Sequence, residues 1–333
     1  MSTTETLAFT LAQPDITDWR AGNTGTEGVW QFDSGQTGRH VMVSALVHGN
    51  ELCGAWALKG LLEAGFRPQR GVLTLAFCNL AAFDRFDVLH HDAARFVDED
   101  LNRQWLPERM SDGSTQERAR AAALQPFVAQ ADWLLDLHSM HERAAPLLLT
   151  GIQPRNLALA RALRTPQHVV VDAGHQDGVR MRDFGRWGWS DALAPETRSL
   201  LIECGFHGDL SSRTVAQDLC LRFLIEAGML DELKAQEFLP GWLQPDAPQQ
   251  WALQVTGGVV ARSEHFRFTH PFQGLEMIEK AGTVIGHHHE LGNSEAEAVT
   301  TPYDNCVLVM PSVRQARAGV TVVRFARRQA LVA

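Results

Sequence analysis

The chain has 333 residues, a length that fits about two domains and excludes a disulfide-stapled miniprotein or a simple coiled coil. Apolar residues make up 45% and charged residues 21%, as in ordinary folded proteins and unlike disordered chains. The formal net charge of -9, from 39 acidic and 30 basic side chains, argues against a general nucleic-acid binder, because such a protein needs clustered lysines and arginines.

Cysteine usage and the N-terminal residues bear on the cellular compartment. The five cysteines contain no C-x-x-C pair, which favours free thiols in a reducing compartment; they are Cys53, Cys78, Cys204, Cys220 and Cys306. Residues 1–19 include Glu5 and Asp15 and lack the form of a signal peptide. The apolar segments fall far short of the roughly 20 residues of a membrane-spanning helix. We therefore expect a cytoplasmic protein without a membrane partner.

Over the first two thirds of the chain, short apolar runs alternate with helical patterns. This order predicts an α/β domain with a mixed or mostly parallel sheet flanked by helices. The predicted strands are residues 40–47, 72–77, 133–137, 168–171 and 199–203, and the predicted helices are residues 51–64, 115–129, 154–164 and 212–227.

The pattern changes after residue 250. Residues 238–250 contain three prolines and a glycine, which is typical of a linker. Strand-like runs follow, separated by turn residues, at 253–261, 275–278, 283–285, 307–310 and 320–325. We therefore predict an α/β domain over residues 1–240 and a small all-β domain over residues 251–333, which could overhang a cleft of the first domain.

The sharpest local signal is the tetrapeptide HGNE at residues 48–51, where a predicted strand ends and a predicted helix begins. His48 and Glu51 can converge on one cation, although such a pair also arises by chance and a helix-start Glu is favoured by the helix dipole. The DLHS motif at residues 136–139 places His138 at a second strand end, where it also fits a hydrogen-bonded core histidine. Two histidines and a glutamate form a catalytic zinc arrangement with one position open. We predict these three as metal ligands, with Asp136 as a candidate hydrogen-bond partner of a ligand.

A third predicted strand ends at Glu203. A carboxylate in that position is costly unless it is paired, faces a cleft or lies near a metal. Glu203 is therefore a candidate general base. The alternatives are a fourth metal ligand, or a structural carboxylate paired with an arginine such as Arg198.

Between the two ligand motifs lies the charged segment RFVDEDLNR at residues 95–103. Its simplest interpretation is a solvated loop with internal salt bridges. The functional alternative presents Arg95 and Arg103 to an anionic substrate and to a developing oxyanion.

The motifs HGNE, RFVDEDLNR, DLHS and IECG (residues 202–205) occur here in the order found in the succinylglutamate desuccinylase and aspartoacylase family, which is related to the zinc carboxypeptidases. The chain resembles that family over roughly residues 40–230. The resemblance implies a zinc-carboxypeptidase-like mixed sheet followed by a small β domain. It also implies one Zn²⁺ per chain, held by His48, Glu51 and His138.

The resemblance further implies roles for the remaining motif residues. Glu203 would be the base that activates water, and Arg95 would polarise the scissile carbonyl. Asn102 and Arg103 would bind the free carboxylate of the substrate. Asn79, in a segment that loosely matches the family's Asn-Pro turn but has leucine in place of the proline, would be structural.

Together these features predict a zinc-dependent amidohydrolase that acts on linear amides and removes the acyl group from an N-acyl amino acid or a close relative. One alternative is a metallocarboxypeptidase acting on short peptides. Another is a non-catalytic metal-binding protein, which the base and the two arginines disfavour. A homo-oligomer is left open by the sequence.

Some conspicuous residues lie outside these motifs. His287-His288-His289 resembles a metal cluster, but neighbours on a strand point to opposite faces, so we expect no ligation there. His141 and His207 follow motif residues and could either line the cleft or be exposed polar residues, and Tyr303 could reach the substrate. A group of C-terminal arginines is expected to form a solvated face: Arg314, Arg317, Arg324, Arg327 and Arg328.

Overall fold

The computed structural model describes residues 9–174, 178–289, 296–314 and 316–331. The strands are β1 (Val29–Asp33), β2 (His40–Ala45), β3 (Val72–Phe77), β4 (Trp133–Met140), β5 (Leu147–Leu149), β6 (His168–Val171), β7 (Arg198–Phe206), β8 (Trp251–Val260), β9 (Arg267–Phe268), β10 (Met277–Ile278), β11 (Val284–His288), β12 (Glu297–Thr300), β13 (Cys306–Val309) and β14 (Thr321–Ala330). The α-helices are α1 (Leu52–Glu63), α2 (Leu80–Phe83), α3 (Pro107–Asp112), α4 (Gln116–Gln130), α5 (Pro154–Ala162), α6 (Leu210–Glu226) and α7 (Glu232–Phe238).

The described residues form an 11-stranded sheet in the order β1-β3-β2-β4-β7-β5-β6-β8-β14-β13-β10 and a 3-stranded sheet in the order β12-β11-β9. Strands β3, β2, β4 and β7 run parallel to one another. Strand β5 is antiparallel to β7 and parallel to β6, so the large sheet is mixed. The predicted fold class, a mixed α/β sheet followed by a small β region, is confirmed.

Helices cover both faces of the parallel part of the sheet. Val41 and Val43 of β2 pack in one apolar cluster with α1 and α6, whereas Met42 packs in another with α4. Every residue of β4 is buried, as expected for a strand covered on both sides. This burial explains why β2 and β4 appear in the sequence as almost continuous apolar runs.

The C-terminal strands are divided between the two sheets. Strand β8 pairs in parallel with β6, and β14, β13 and β10 extend the same large sheet. Strands β9, β11 and β12 form the separate 3-stranded sheet. The proposed boundary between residues 240 and 251 lies between α7 and β8, and the division into two domains stays a prediction.

The parallel strands bring the motif residues to one edge of the sheet. Glu203 of β7 is the register partner of His138 of β4, and Ser44 of β2 is the partner of Asp136. His48 follows the end of β2 by three residues. Carboxyl ends of parallel strands are the usual place for a site in an open α/β sheet.

Two further features concern the cysteines and the helices. Each of the five cysteines is a buried free thiol. Every helix in the described ranges is too short or too polar to cross a lipid bilayer.

Candidate metal centre and cleft

His48, Glu51 and His138 form a buried cluster whose donor atoms all lie within 4.8 Å of one another. Glu51 Oε1 is 2.7 Å from His48 Nδ1, and Glu51 Oε2 is 2.8 Å from His138 Nδ1. Within the part of the chain that the structure describes, no other group of three or more His, Cys, Asp or Glu side chains is arranged to hold a metal ion. The three predicted ligands are therefore brought together from the end of β2, the start of α1 and the end of β4.

Each histidine of this cluster has a carboxylate on its outer nitrogen. His48 Nε2 is 3.0 Å from Asp100 Oδ1, and His138 Nε2 is 2.8 Å from Asp136 Oδ2. Ser44 in turn donates a hydrogen bond of 2.7 Å to Asp136. Carboxylates in this position orient metal-binding imidazoles and fix their tautomer, leaving the other nitrogen for the metal. The donor set and its supports fit a cation between the two Nδ1 atoms and Glu51.

The charges of this cluster suit a cation site. Burial opposes ionisation of Glu51, yet the imidazoles of His48 and His138 hold its pKa well below the ordinary value. Burial also opposes a charged His138, but Asp136 and Glu51 raise its pKa well above the ordinary value. Asp100 is likewise held ionised against burial, since His48 and Arg95 keep its pKa well below the ordinary value. The site thus concentrates ionised carboxylates that require positive charge.

The HGNE loop explains why these residue types occur together. A Cβ atom on Gly49 would lie 2.3 Å from the backbone carbon of Ala82 and 2.5 Å from the carbonyl oxygen of Ala94, so only glycine fits. The Gly49 N–H donates to the carbonyl of Arg95 at 3.1 Å, which ties the loop to the charged segment. Glu51 is the N-cap of α1, but its side chain makes no capping hydrogen bond. A helix-start role therefore does not account for the position of the Glu51 carboxylate.

Glu203 lies beside this cluster with an unsatisfied carboxyl oxygen. Its side chain is buried, and Oε2 has no hydrogen-bond partner among the described residues. Burial and the nearby Glu51 carboxylate raise the pKa of Glu203 well above the ordinary value. The alternative of a pair with Arg198 is wrong, because Arg198 donates to the carbonyls of Pro195 and Thr197.

Arg95 connects the charged segment to the metal cluster. Its Nη1 is 3.2 Å from Glu51 Oε1, and its Nη2 is 3.2 Å from Asp100 Oδ2. The buried Nε atom has no hydrogen-bond partner among the described residues. Arg95 thus lies against the candidate ligands and keeps one donor that protein atoms do not use.

The charged segment is not a solvated loop, because a buried glutamate holds its backbone. Glu117, near the start of α4, accepts hydrogen bonds from the N–H groups of Val97, Asp98 and Glu99 at 2.7, 3.0 and 3.3 Å. It also accepts a bond of 3.0 Å from the side chain of Asn79. These bonds fix the course of the segment that carries Arg95 and Arg103.

The two residues predicted to bind a substrate carboxylate lie together on the same segment. Asn102 is buried, and its Oδ1 accepts a hydrogen bond of 2.9 Å from the N–H of Met181. Arg103 Nη1 donates to the carbonyl of Asn102 at 3.0 Å. Both side chains line the same cleft as the metal cluster and Glu203.

This cleft has a volume of about 170 Å³, below the roughly 300–1,000 Å³ of pockets that hold drug-sized ligands. Part of its wall comes from the C-terminal strands and the loop between them; these residues are Met310, Ser312, Val320, Thr321 and Arg324. Arg180 is a further basic lining residue, and it pairs with Asp172 at 3.1 Å. The cleft is therefore small and rich in arginine.

The expectation of a solvated arginine face is wrong for two of its members. Arg324 lines the cleft. Arg314 pairs with Asp92 at 3.1 Å and with Glu142 at 2.8 Å, both in the N-terminal part of the chain. These carboxylates are more than 170 residues away in sequence, so no local pattern could indicate them.

The remaining conspicuous side chains lie elsewhere or have local roles. The hydroxyl of Tyr303 is 2.6 Å from Thr256 Oγ1, and Tyr303 is not among the residues that line the cleft. His288 is buried against Phe266, whereas His289 is exposed and its ring centroid lies 6.1 Å from that of His287. No role was predicted from the sequence for Asp100 or His141, which contact site residues, or for Glu117, which binds the backbone of the 95–103 segment.

A comparison with protein families matches part of the chain. Residues 37–189 match the family model described as the succinylglutamate desuccinylase/aspartoacylase catalytic domain. The matched range includes HGNE, RFVDEDLNR and DLHS but ends before Glu203. No curated protein sequence matches the chain.

Solved structures share the fold over most of the chain. A succinylglutamate desuccinylase from Vibrio cholerae is 14% identical over 91% of this chain and 86% of its own, with a TM-score of 0.64. A succinylglutamate desuccinylase/aspartoacylase from Rhodobacter sphaeroides is 18% identical over 88% and 87%, with a TM-score of 0.60. The ectoine utilization protein EutE (DoeB) from Ruegeria pomeroyi is 19% identical over 87% and 86%, with a TM-score of 0.57. At these identities the likeness shows the shared fold.

Proposed function

We propose that this protein is a zinc-dependent hydrolase that cleaves the linear amide bond of an N-acyl amino acid or a close relative, because residues 37–189 match the model of the succinylglutamate desuccinylase/aspartoacylase catalytic domain. The observation that carries the proposal is that one small cleft contains both the His48–Glu51–His138 cluster and Glu203, whose Oε2 atom has no hydrogen-bond partner among the described residues. A protein that only binds a metal would need neither Glu203 nor Arg95 in this position.

Zn²⁺ is the metal that best fits the donor set, with one ion per chain held by His48, Glu51 and His138. Two histidines and one glutamate are a ligand set of zinc hydrolases, and the carboxylates behind both imidazoles are the usual supports of such ligands. When bound, zinc supplies a Lewis acid that polarises a carbonyl and makes water more acidic.

Glu203 is the proposed general base. Its raised pKa favours a carboxyl that takes a proton from the attacking water and returns it to the leaving amine. The Oε2 atom, which bonds to no other described residue, is available for this exchange.

The arginines and Asn102 are the proposed substrate contacts. Arg95 Nε is a buried donor without a protein partner among the described residues, and a donor of this kind stabilises a developing oxyanion. Arg103 and Asn102 line the cleft, and a guanidinium beside an amide suits the free carboxylate of an amino acid.

The experiment that tests the proposal is a screen of zinc-loaded protein against N-acetyl, N-succinyl and N-formyl amino acids. We expect hydrolysis of at least one member, loss of turnover with a chelator and recovery with added zinc. The variants His48→Ala and His138→Ala should lose the metal. Undiminished zinc in both variants, or no hydrolysis anywhere in the panel by zinc-replete protein, would overturn the proposal.

A further inference from the structure

A histidine, His141, shares one guanidinium nitrogen of Arg95 with the Glu51 carboxylate. His141 Nε2 is 3.2 Å from Arg95 Nη1, and His141 Nδ1 is 3.1 Å from Asp92 Oδ1. A guanidinium can only donate hydrogen bonds, so Nε2 must accept and the ring proton must be on Nδ1. The Nδ1–H group then donates to Asp92. The two neighbours therefore select one neutral tautomer of His141.

Asp92 is itself held by the C-terminal part of the chain. Arg314 Nη1 is 3.1 Å from Asp92 Oδ2, while Arg314 Nε donates to Glu142 at 2.8 Å. Ser312, two residues earlier, lines the cleft. A continuous chain of contacts thus runs from Arg314 through Asp92 and His141 to Arg95.

The contacts of Arg95 indicate how this series of contacts acts on the guanidinium. Arg95 Nη1 is 3.2 Å from both Glu51 Oε1 and His141 Nε2, so the two hydrogens of this nitrogen serve a candidate zinc ligand and His141. Without His141, Nη1 would lose one of its two acceptors, and Glu51 and Asp100 would be the remaining side-chain acceptors of the guanidinium among the described residues. His141 is largely buried and packs edge-on against the ring of His207, with centroids 4.7 Å apart, which restricts its orientation.

We propose that His141, held in one tautomer by Asp92, positions Arg95 for the transition state, and that Arg314 fixes the C-terminal wall of the cleft to this pair. The inference rests on the proposed function, because it assigns His141 a task that depends on the role of Arg95 in the reaction. His141 acts through Arg95 and is a positioning residue. The Arg314–Asp92 pair is partly exposed and contributes little stability by itself. Its effect is therefore on the position of the C-terminal wall of the cleft relative to Asp92 and His141.

The test is a double-mutant cycle between His141→Leu and Arg95→Ala, with kcat, KM, zinc content and melting temperature measured on each protein. His141→Leu should lower kcat by about ten- to hundredfold, the usual range for a lost hydrogen bond to a charged group, while zinc content and KM stay near the wild-type values. In the Arg95→Ala background the same change should have no further effect on kcat. If His141 had only a structural role, His141→Leu would lower kcat by the same factor in the wild-type protein and in the Arg95→Ala variant. That result would overturn the inference.

Two further variants sharpen the cycle. His141→Gln can accept from Arg95 through Oε1 and donate to Asp92 through Nε2, so it should recover most of the lost kcat. His91→Leu is the matched control, because His91 Nδ1 also lies 3.2 Å from Asp92 Oδ1, whereas the side-chain hydrogen bonds of Arg95 within the described ranges go to Glu51, His141 and Asp100. It should leave kcat within about twofold of wild type, as expected for a change away from the reacting groups. Equal losses in the His91 and His141 variants would contradict the proposal.

Arg314→Met tests the C-terminal contact against Arg262→Met, which removes an exposed arginine paired with Glu297. Arg314→Met should lower kcat only when Arg95 is present, whereas Arg262→Met should not change it. The same effect of both variants on kcat would overturn the role of Arg314. If wild-type protein hydrolysed no member of the substrate panel, the proposed function would fail as well. If wild-type protein were active but His141→Leu lowered kcat by the same factor with and without Arg95, this inference alone would be overturned.

Discussion

We expect the carboxylates behind the two histidines to control how firmly the proposed metal is held. Asp100 and Asp136 accept from the outer nitrogens of His48 and His138 at 3.0 and 2.8 Å. Replacing either aspartate with asparagine removes the negative charge that keeps the imidazole basic. We expect Asp100→Asn and Asp136→Asn each to weaken zinc binding by about 10- to 100-fold.

A competition titration with a chromogenic chelator measures this change. Asp87→Asn, at an exposed aspartate outside the cleft, is the matched control and should bind zinc like wild type. Unchanged affinity in both cluster variants would show that these carboxylates do not support metal ligands.

Glu203 makes the metal-free protein sensitive to pH. Its pKa in the folded state is raised well above the ordinary value of 4.5 by burial and by Glu51. The folded protein therefore binds this proton more tightly than the unfolded chain, and stability falls as the pH rises through the window above 4.5. Glu203→Gln lacks this proton equilibrium, so its stability advantage over wild type should grow as the pH rises.

Urea unfolding of both proteins between pH 5 and pH 8, with a chelator present, measures this difference. A constant stability difference across that range would mean that Glu203 does not have a raised pKa in the folded protein.

At the level of elements, the segment 95–103 depends on one residue of helix α4. Glu117 accepts three backbone N–H groups of that segment and the side chain of Asn79. Glu117→Gln keeps the shape but turns an amide group towards N–H donors. We expect a loss of about 1–3 kcal/mol in the free energy of unfolding, together with a lower kcat because the segment carries Arg95.

Denaturant unfolding and turnover, compared with Glu108→Gln in the exposed first turn of α3, check this prediction. A Glu117→Gln protein as stable and active as the control would show that the segment holds its course without these bonds.

The elements also show what the sequence could and could not predict. Strands β3 and β6 have the predicted bounds, because a fully buried strand is a distinct apolar run. Strands β5 and β9, with three and two residues, are too short to give a pattern and were not predicted. The cluster of His48, Glu51 and His138 was predictable because each residue stands at an element boundary. Asp100 was not, since nothing local distinguishes it from the other acidic residues of its segment.

On the scale of the whole molecule, residues of the C-terminal part of the chain form part of the cleft wall. Met310, Val320 and Arg324 line the same cavity of about 170 Å³ as the candidate metal ligands. The sequence raised a cleft covered by this region only as an alternative, because its contacts with the N-terminal part depend on pairs far apart in the chain. We expect kcat/KM to fall steeply from an N-acyl amino acid to a peptide that ends in the same amino acid.

Comparing an acylated amino acid with the matching di- and tripeptides measures this preference. Faster release of the C-terminal residue from the peptides would favour a metallocarboxypeptidase instead.

Zinc content and turnover of Glu203→Gln, measured on one preparation, test whether this cleft is a hydrolytic zinc site with Glu203 as its base. The variant keeps the size of the side chain and removes its basic oxygen. If Glu203 is the base, we expect the variant to have wild-type zinc content and a kcat lower by about 10²- to 10⁴-fold, the usual cost of losing a general base. Loss of zinc together with activity would make Glu203 a fourth ligand. A stable, zinc-replete variant with near wild-type turnover would show that Glu203 is not the base of the reaction.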